Sequence, residues 1–365
     1  MRILILGNHE VVIYNFRKEL ILELISRGHE VTVSFPEGER TQYFKDIGCS
    51  FENLEVERHS TNPMHDLKLL ADYVRLIKRI NPDIVLTYTI KPNIWGGVAS
   101  LLTRKPYIAN ITGLGTALER SGVTQQITKV LYRVAMTSVH RIFFQNRSNL
   151  EFFERSQIGR KRHRLLPGSG VNLKEFAPTA YPAVVDQAIR FLFIGRIKKE
   201  KGIEEYLEVA SKITREFPTV EFGILGFFDG DYSAQIEECV SNGVITYYGN
   251  TQDVRPHILK SHAIVLPSYS EGMANVLLEA AAMSRPVIAS DIPGCAETFR
   301  DNVSGISFQP QSSDALEKAV RKFLSLSHLE KENMGVEGTT WVSQKFSRQI
   351  VVDKYLREIE SFRAA

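Results

Sequence analysis

Two short stretches place charge beside glycine in the second half of the chain: Gly195-Arg196-x4-Lys201-Gly202 and Glu271-Gly272-x6-Glu279. Arg196 brings a planar fork of donors and Lys201 a point charge, a pair suited to a diphosphate. Glu271 and Glu279 bring acceptors, one for the hydroxyls of a sugar and the other for those of a ribose. Side chains of these four types describe a nucleotide-sugar site. Two plainer accounts compete: a solvated basic loop at Lys198, Lys199 and Lys201, and a Glu271 that only complements a helix dipole with Glu279 on the surface.

The flanking sequence says how such residues are positioned. Phe191–Ile194 is a short apolar run of the kind that forms a buried parallel strand, and Ile203, Leu207, Ala210 and Ile213 then recur at helical spacing towards Phe217. Gly195 and Gly202 therefore bracket a loop at a strand's carboxyl end, where open α/β sheets bind ligands and the next helix presents unpaired N–H groups. Ala263–Pro267 reads as a second buried strand, 268–272 as its loop and Ala274–Met283 as an alanine-rich helix. Glu271 falls at the mouth of that helix. Glu279 follows on it among Leu277, Leu278 and Ala280, apolar company for a surface charge.

These motifs, with Leu266-Pro267-Ser268-Tyr269-Ser270-Glu271-Gly272, Leu278-Glu279-Ala280 and Arg285–Asp291 followed by Gly294 and Glu297, resemble the retaining glycosyltransferases of family 4. The resemblance is most specific over residues 190–300. Upstream, Lys91–Gly96 and Asn110–Gly115 look like the bacterial branch that builds capsule, O-antigen and lipid-linked oligosaccharides. It implies an α/β chain of the GT-B class, two Rossmann-like parallel-sheet domains facing across a cleft. It also implies transfer of a hexose or N-acetylhexosamine from a UDP-sugar to a polyprenyl-diphosphate-linked glycan, with the anomeric configuration retained. Arg196 and Lys201 would stabilise the departing diphosphate in place of a metal, and Glu271 would position the sugar. Gly195, Gly202, Ser270, Gly272, Met273, Ala274, Asn275 and Glu279 would complete the donor site. No cofactor and no metal are expected. A UDP-sugar 2-epimerase of the same fold and a non-catalytic nucleotide-sugar-binding module stay open as alternatives.

Alternation organises the rest. Arg2–Gly7, Phe16–Ser26 and Glu30–Phe35 read as strand, helix, strand, and the pattern recurs through Leu67–Ile80, Ile84–Tyr88, Trp95–Leu102, Tyr107–Asn110, Val123–Val139 and Arg141–Phe144. At 365 residues the chain exceeds the usual size of one core. A second series begins near Ile189, and Pro178 and Pro182 mark a break at 176–186. The sequence thus predicts an acceptor domain over 1–176 and a donor domain over 187–346. By the resemblance, a last helix at 347–365 returns to the first domain.

The candidates for acceptor binding are Asn8 and His9 after the first strand, Lys91 after the strand ending at Tyr88, and Asn110 and Thr112 at and beyond the end of the next. Many relatives carry a histidine in that last loop; here Asn110, Thr112 and Gly113 stand instead, and nothing in the sequence names a replacement. His9 reads equally as a helix cap, and Lys91 as an exposed loop lysine.

Cys49, Cys239 and Cys295 have no metal-ligand spacing and fit a reducing compartment. Asp229-Gly230-Asp231 has an Asp-x-Asp pattern but reads as a surface turn. Met1–Gly7 reads as a strand rather than a secretory leader, and no run of eighteen apolar residues occurs. A cytoplasmic, peripherally membrane-bound protein is expected.

Charge concentrates in 101–164, where twelve lysines and arginines face three glutamates on a chain of net charge +3. No nucleic-acid-binding motif accompanies them. An anionic membrane surface fits better, because Val123, Ile127, Val130, Leu131 and Val134 form an apolar stripe beside Lys129 and Arg133. The alternative is an ordinary core-facing helix with a solvated basic side.

Overall fold

The computed structural model describes all residues except 58–61, 116, 117, 119–121, 184–187 and 363–365. Two compact units emerge, one of Met1–Ser169 with Gln349–Ala365, the other of Gly170–Arg348.

In the first unit, β1 (Arg2–Leu6), β2 (Glu30–Phe35), β3 (Ser50–Asn53), β4 (Ile84–Tyr88), β5 (Tyr107–Ile111), β6 (Val139–Phe144) and β7 (His163–Leu165) form one parallel sheet of order β3-β2-β1-β4-β5-β6-β7. All five residues of β4, and all five of β5, are buried, as strands covered on both faces require. The period of two sends Ile3 and Ile5 into one apolar cluster and Leu4 and Leu6 into the opposite one. The helices are α1 (Glu10–Ser26), α2 (Thr41–Asp46), α3 (Pro63–Ile80), α4 (Gly97–Leu102), α5 (Val123–Ala135) and α6 (Arg147–Arg155). Helix α5 stops four residues short of the sequence expectation, because Met136 and Thr137 turn the chain and β6 already begins at Val139.

The second unit repeats the plan. Strands β8 (Ile189–Ile194), β9 (Val220–Leu225), β10 (Thr246–Tyr247), β11 (Ala263–Leu266), β12 (Val287–Ser290) and β13 (Gly305–Phe308) form a parallel sheet of order β10-β9-β8-β11-β12-β13. Helices α7 (Ile203–Glu216), α8 (Ser233–Ser241), α9 (Arg255–Lys260), α10 (Asn275–Ala282), α11 (Ser313–Ser325) and α12 (His328–Lys345) accompany it. Phe191 and Phe193 pack with α7 and α11 on one face, Leu192 with α9 and α10 on the other.

The last helix, α13 (Arg348–Ser361), places Val351, Val352, Tyr355, Leu356 and Ile359 in the apolar cluster of β1 and β2. Residues 170–176, which the sequence reading put in the first domain, fall in the second unit. There the Val171 N–H donates to the Phe346 carbonyl and the Arg348 N–H to that of Val171, both at 2.8 Å. The expected break is likewise fastened to the second unit where it is described. Thr179 Oγ1 donates to the Met283 carbonyl and Tyr181 Oη to that of His262, each at 3.0 Å. The end of the break, 184–186, and the expected domain start at 187 lie outside the described residues.

Candidate active site

In each sheet the strand order reverses between two neighbours, β1 and β4 in the first and β8 and β11 in the second, and the crevice beyond such a pair is the ligand position of open α/β sheets. Gly195-Arg196 leaves β8 and Pro267–Glu271 leaves β11. Both signature stretches therefore rise from the two strands that flank the second unit's switch point.

Gly202 explains how the two loops meet. Its φ is +74°, and a Cβ there would lie 2.1 Å from the Pro267 carbonyl oxygen. Only glycine permits that approach. The Tyr269 N–H also donates to the Glu200 carbonyl at 2.9 Å. The contact brings Lys201 Nζ onto Glu271 Oε1, and Ser268 Oγ donates to the same oxygen at 2.8 Å. Lys201 and Glu271 keep only 17% and 12% of their side-chain surface exposed, so this pair is well shielded from water.

A third loop closes from β12. Gly294, at φ +86°, would carry a Cβ 2.6 Å from the Glu271 carbonyl oxygen. The Ala274 N–H donates to the Gly294 carbonyl at 2.8 Å, and Glu297 accepts from the Gly294 N–H. Helix α10 begins directly behind, with no side-chain cap. Its first N–H groups have no acceptor within the helix, and among the described residues the buried Asn275 Oδ1 has no hydrogen-bond partner.

Arg196 is held differently. Parallel pairing of Ile197 with Phe228 sets the loop after β8 against the loop after β9, with the Asp229 N–H donating to the Ile197 carbonyl at 3.0 Å. Arg196 Nη1 then donates to Asp229 Oδ2 at 2.8 Å, the two side chains 47% and 42% exposed. Asp229, read from sequence as part of a surface turn, is the carboxylate that holds Arg196.

Glu279 lies one turn into α10, half-buried and flanked by the buried Leu278 and Ala280. Burial pushes its carboxyl up to about 7; Arg348 works against that shift and Glu175 adds to it. It is not the idle surface residue of the plainer account.

The second unit thus brings Gly195, Arg196, Lys201, Gly202, Ser270, Glu271 and Gly272 onto the loops above one switch point. The side chains of Met273 and Ala274 turn into the core. Met273 packs with Val171, Leu278 and Phe346, Ala274 packs behind α10, and the Ala274 N–H is already engaged. Among the described residues no group of three or more His, Cys, Asp or Glu side chains is placed to hold a metal ion.

In the first unit Asn8 and His9 follow β1. His9 caps α1, its Nδ1 accepting from the Val11 N–H at 3.2 Å. Lys91 pairs with Asp66 at 2.9 Å, and Thr112 is partly exposed. Asn110 is a correction. It is 2% exposed, and its Nδ2 donates to the Thr87 carbonyl at 2.9 Å, its carbonyl accepts from Asn93 Nδ2 at 2.8 Å, and its Oδ1 accepts from the Tyr355 hydroxyl. A side chain so placed ties β5 to its neighbours and to α13, and does not face an acceptor.

Two family models match in succession: "Glycosyl transferase 4-like" over residues 2–146 and "Glycosyl transferases group 1" over 182–341. The N,N'-diacetylbacillosaminyl-diphospho-undecaprenol alpha-1,3-N-acetylgalactosaminyltransferase of Campylobacter jejuni is 27% identical over 98% of each chain. The UDP-Gal:alpha-D-GlcNAc-diphosphoundecaprenol alpha-1,3-galactosyltransferase of Escherichia coli is 26% identical over 70% of each. Among solved structures, a Rickettsia africae glycosyltransferase aligns with a TM-score of 0.80 at 20% identity over 99% of this chain and 98% of its own. Anabaena HepE in complex with UDP-glucose aligns at 0.80 and 14% over the whole of both. Those two likenesses establish the fold, GT-B with its two Rossmann-like parallel-sheet units. From a donor-type switch point in the second unit and family models that succeed one another along the chain, the protein belongs to the family 4 glycosyltransferases and is a glycosyl-transferring enzyme.

Proposed function

We propose that the protein transfers a hexose or N-acetylhexosamine from a UDP-sugar to a polyprenyl-diphosphate-linked glycan, retaining the anomeric configuration, in the synthesis of a surface polysaccharide or related glycan. The observation that carries this reading is the shielded Lys201–Glu271 pair beside Arg196 at the β8/β11 switch point. A nucleoside diphosphate laid there would meet Arg196, Lys201 and the open start of α10. As the sugar–phosphate bond breaks, negative charge grows on the diphosphate, and fixed cations and N–H dipoles need no reorganisation to receive it. Glu271, fixed by Lys201 and Ser268, would accept from hydroxyls of the sugar, and Glu279 from those of the ribose. The charge of the leaving group is met by protein groups, so no metal is required.

The acceptor and its place of work draw support from relatives. Two are named for transfer to diphospho-undecaprenol-linked sugars, and one structure is named for its complex with UDP-glucose. No helix among the described residues is long and apolar enough to cross a membrane. We place the enzyme on the inner face of the bacterial plasma membrane, drawn to anionic lipid by the basic segment 101–164. Incubation with a panel of UDP-sugars and a polyprenyl-diphosphate-linked glycan tests the reading. A lipid-linked product longer by one sugar is expected. Isomerised UDP-sugar without transfer would make it an epimerase, and binding with no turnover a nucleotide-sugar-binding module.

A further inference from the structure

Helix α5 is built with its apolar face outward. Val123, Ile127, Val130 and Val134 share one side of the helix and are 76%, 55%, 52% and 46% exposed. Turned inward are Thr128, Tyr132 and Ala135. Thr128 Oγ1 satisfies itself on the Thr124 carbonyl at 2.8 Å, and Tyr132 meets Phe153 edge-on at 5.2 Å between ring centres. The core-facing account of this stripe is therefore overturned: only Leu131 of the five residues is half-buried. A contiguous apolar face turned to water has an occupant to find.

The neighbouring residues indicate which occupant. Arg133 Nε and Nη2 donate to the Ser156 carbonyl at 3.3 and 3.2 Å, and Lys129 Nζ lies 5.2 Å from the Phe152 ring centre, so α5 runs beside α6. Leu102, 62% exposed, ends α4 and is followed by Arg104. Crossover helices of a parallel sheet all run against the strands, so the carboxyl ends of α4, α5 and α6 share one edge. Arg104, Arg133, Arg155, Arg160 and Lys161 stand exposed at that edge, and among the described residues none of them forms an ion pair. Arg141 and Arg164, by contrast, are taken up by Glu358. A second copy of this chain would bring the same cations against these. An anionic bilayer offers both an apolar interior for the stripe and headgroup charge for the collar.

We propose that the Val123–Ile127–Val130–Val134 face of α5 inserts into an anionic membrane surface, with the basic collar at its carboxyl end on the headgroups. The proposal deepens the membrane reading above and rests on it only for the place of work.

Flotation with acceptor-free vesicles of phosphatidylethanolamine and phosphatidylglycerol tests it. Wild type is expected to float at low salt. Ile127→Ser with Val130→Ser should lower vesicle partitioning on the order of tenfold, as should Arg155→Gln, Arg160→Gln and Lys161→Gln together. Ile127→Leu with Val130→Leu should retain it. The serine variant should melt as wild type does and turn over a water-soluble acceptor at the wild-type rate. Failure of wild type to bind, or undiminished binding by the serine variant, overturns the proposal. So does self-association of wild type that the serine substitutions abolish, which would assign the face to a second copy. Vesicle binding is read without donor or acceptor, so its failure and the failure of the transfer reading are separate results.

Discussion

Arg196 and Asp229 form an ion pair, Nη1 to Oδ2 at 2.8 Å, at the head of the loop that also carries Lys201. Both cations proposed for the donor site thus have a carboxylate partner, Arg196 an exposed one and Lys201 a shielded one. The difference matters energetically. An exposed pair is worth about 0–1 kcal/mol, so a diphosphate can share Arg196 at little cost, and only one guanidinium nitrogen is engaged by Asp229. Lys201 is held by Glu271, which Ser268 in turn fixes.

Arg196→Ala should lower turnover about 10²–10³-fold, the usual loss when one preorganised charge is taken from a developing anion, while melting stays near wild type. Lys201→Ala should cost as much in rate and also destabilise the fold, because Glu271 is left shielded from water without its cation. Steady-state rates and thermal melts of the two variants check this. Near-wild-type turnover in both would remove the donor site from these loops.

Asp229→Ala should cost no more than about tenfold, since its pair with Arg196 is exposed and the rest of the guanidinium stays in place. If protein groups alone meet the leaving charge, as proposed, activity should also survive EDTA. An Asp229→Ala loss as deep as that of Arg196→Ala, together with inhibition by EDTA that manganese reverses, would point to a metal held by Asp229 and Asp231 and overturn the electrostatic account.

Retention follows if the leaving diphosphate and the incoming hydroxyl use the same face of the sugar. An α-linked donor of gluco or galacto configuration should give an α-linked product, readable from the anomeric proton coupling. A β-linked product would mean attack from the opposite face and would overturn the retaining reading.

Much of this site is legible in the sequence because its signals are local. Buried parallel strands read as short apolar runs, and Phe191–Ile194 and Ala263–Leu266 announce the loops that follow them. Lys201, Gly202 and Glu271 then stand where those loops must be. What escapes the sequence depends on partners far along the chain. Asp229 meets Arg196 through sideways pairing of loops from adjacent strands, which an Asp-x-Asp pattern does not announce. Asn110 ends a strand in the sequence reading and looks open to the loop above it until Tyr355, 245 positions later, reaches it from the terminal helix. Helix α5 has a clear apolar period, but a period does not say whether the stripe faces in or out. Met273 and Ala274 sit at a helix start, where sequence cannot tell a free N–H from one already donated to Gly294.

Glu279 makes the site pH-dependent in a direction opposite to an ordinary ion-paired carboxylate. Its carboxyl is raised from 4.5 to about 7, chiefly by burial. Below pH 4.5 the folded and unfolded chains both hold the proton. Between 4.5 and about 7 only the folded chain does, so stability falls as pH rises through that window, and above it the full penalty applies. Glu279→Gln removes the group. The variant should therefore match wild type in stability near pH 4.5 and exceed it above pH 7, by on the order of 1–3 kcal/mol. Ligand binding should move the other way. A ribose hydroxyl donates best to the ionised carboxylate, so UDP affinity of wild type should rise with pH through about 7. Glu279→Gln should bind more weakly above that pH and lose the pH dependence. Denaturant melts and UDP titrations at matched pH values read both effects. A variant with unchanged UDP affinity and a stability difference flat in pH would show that Glu279 neither carries the raised carboxyl nor touches the nucleotide.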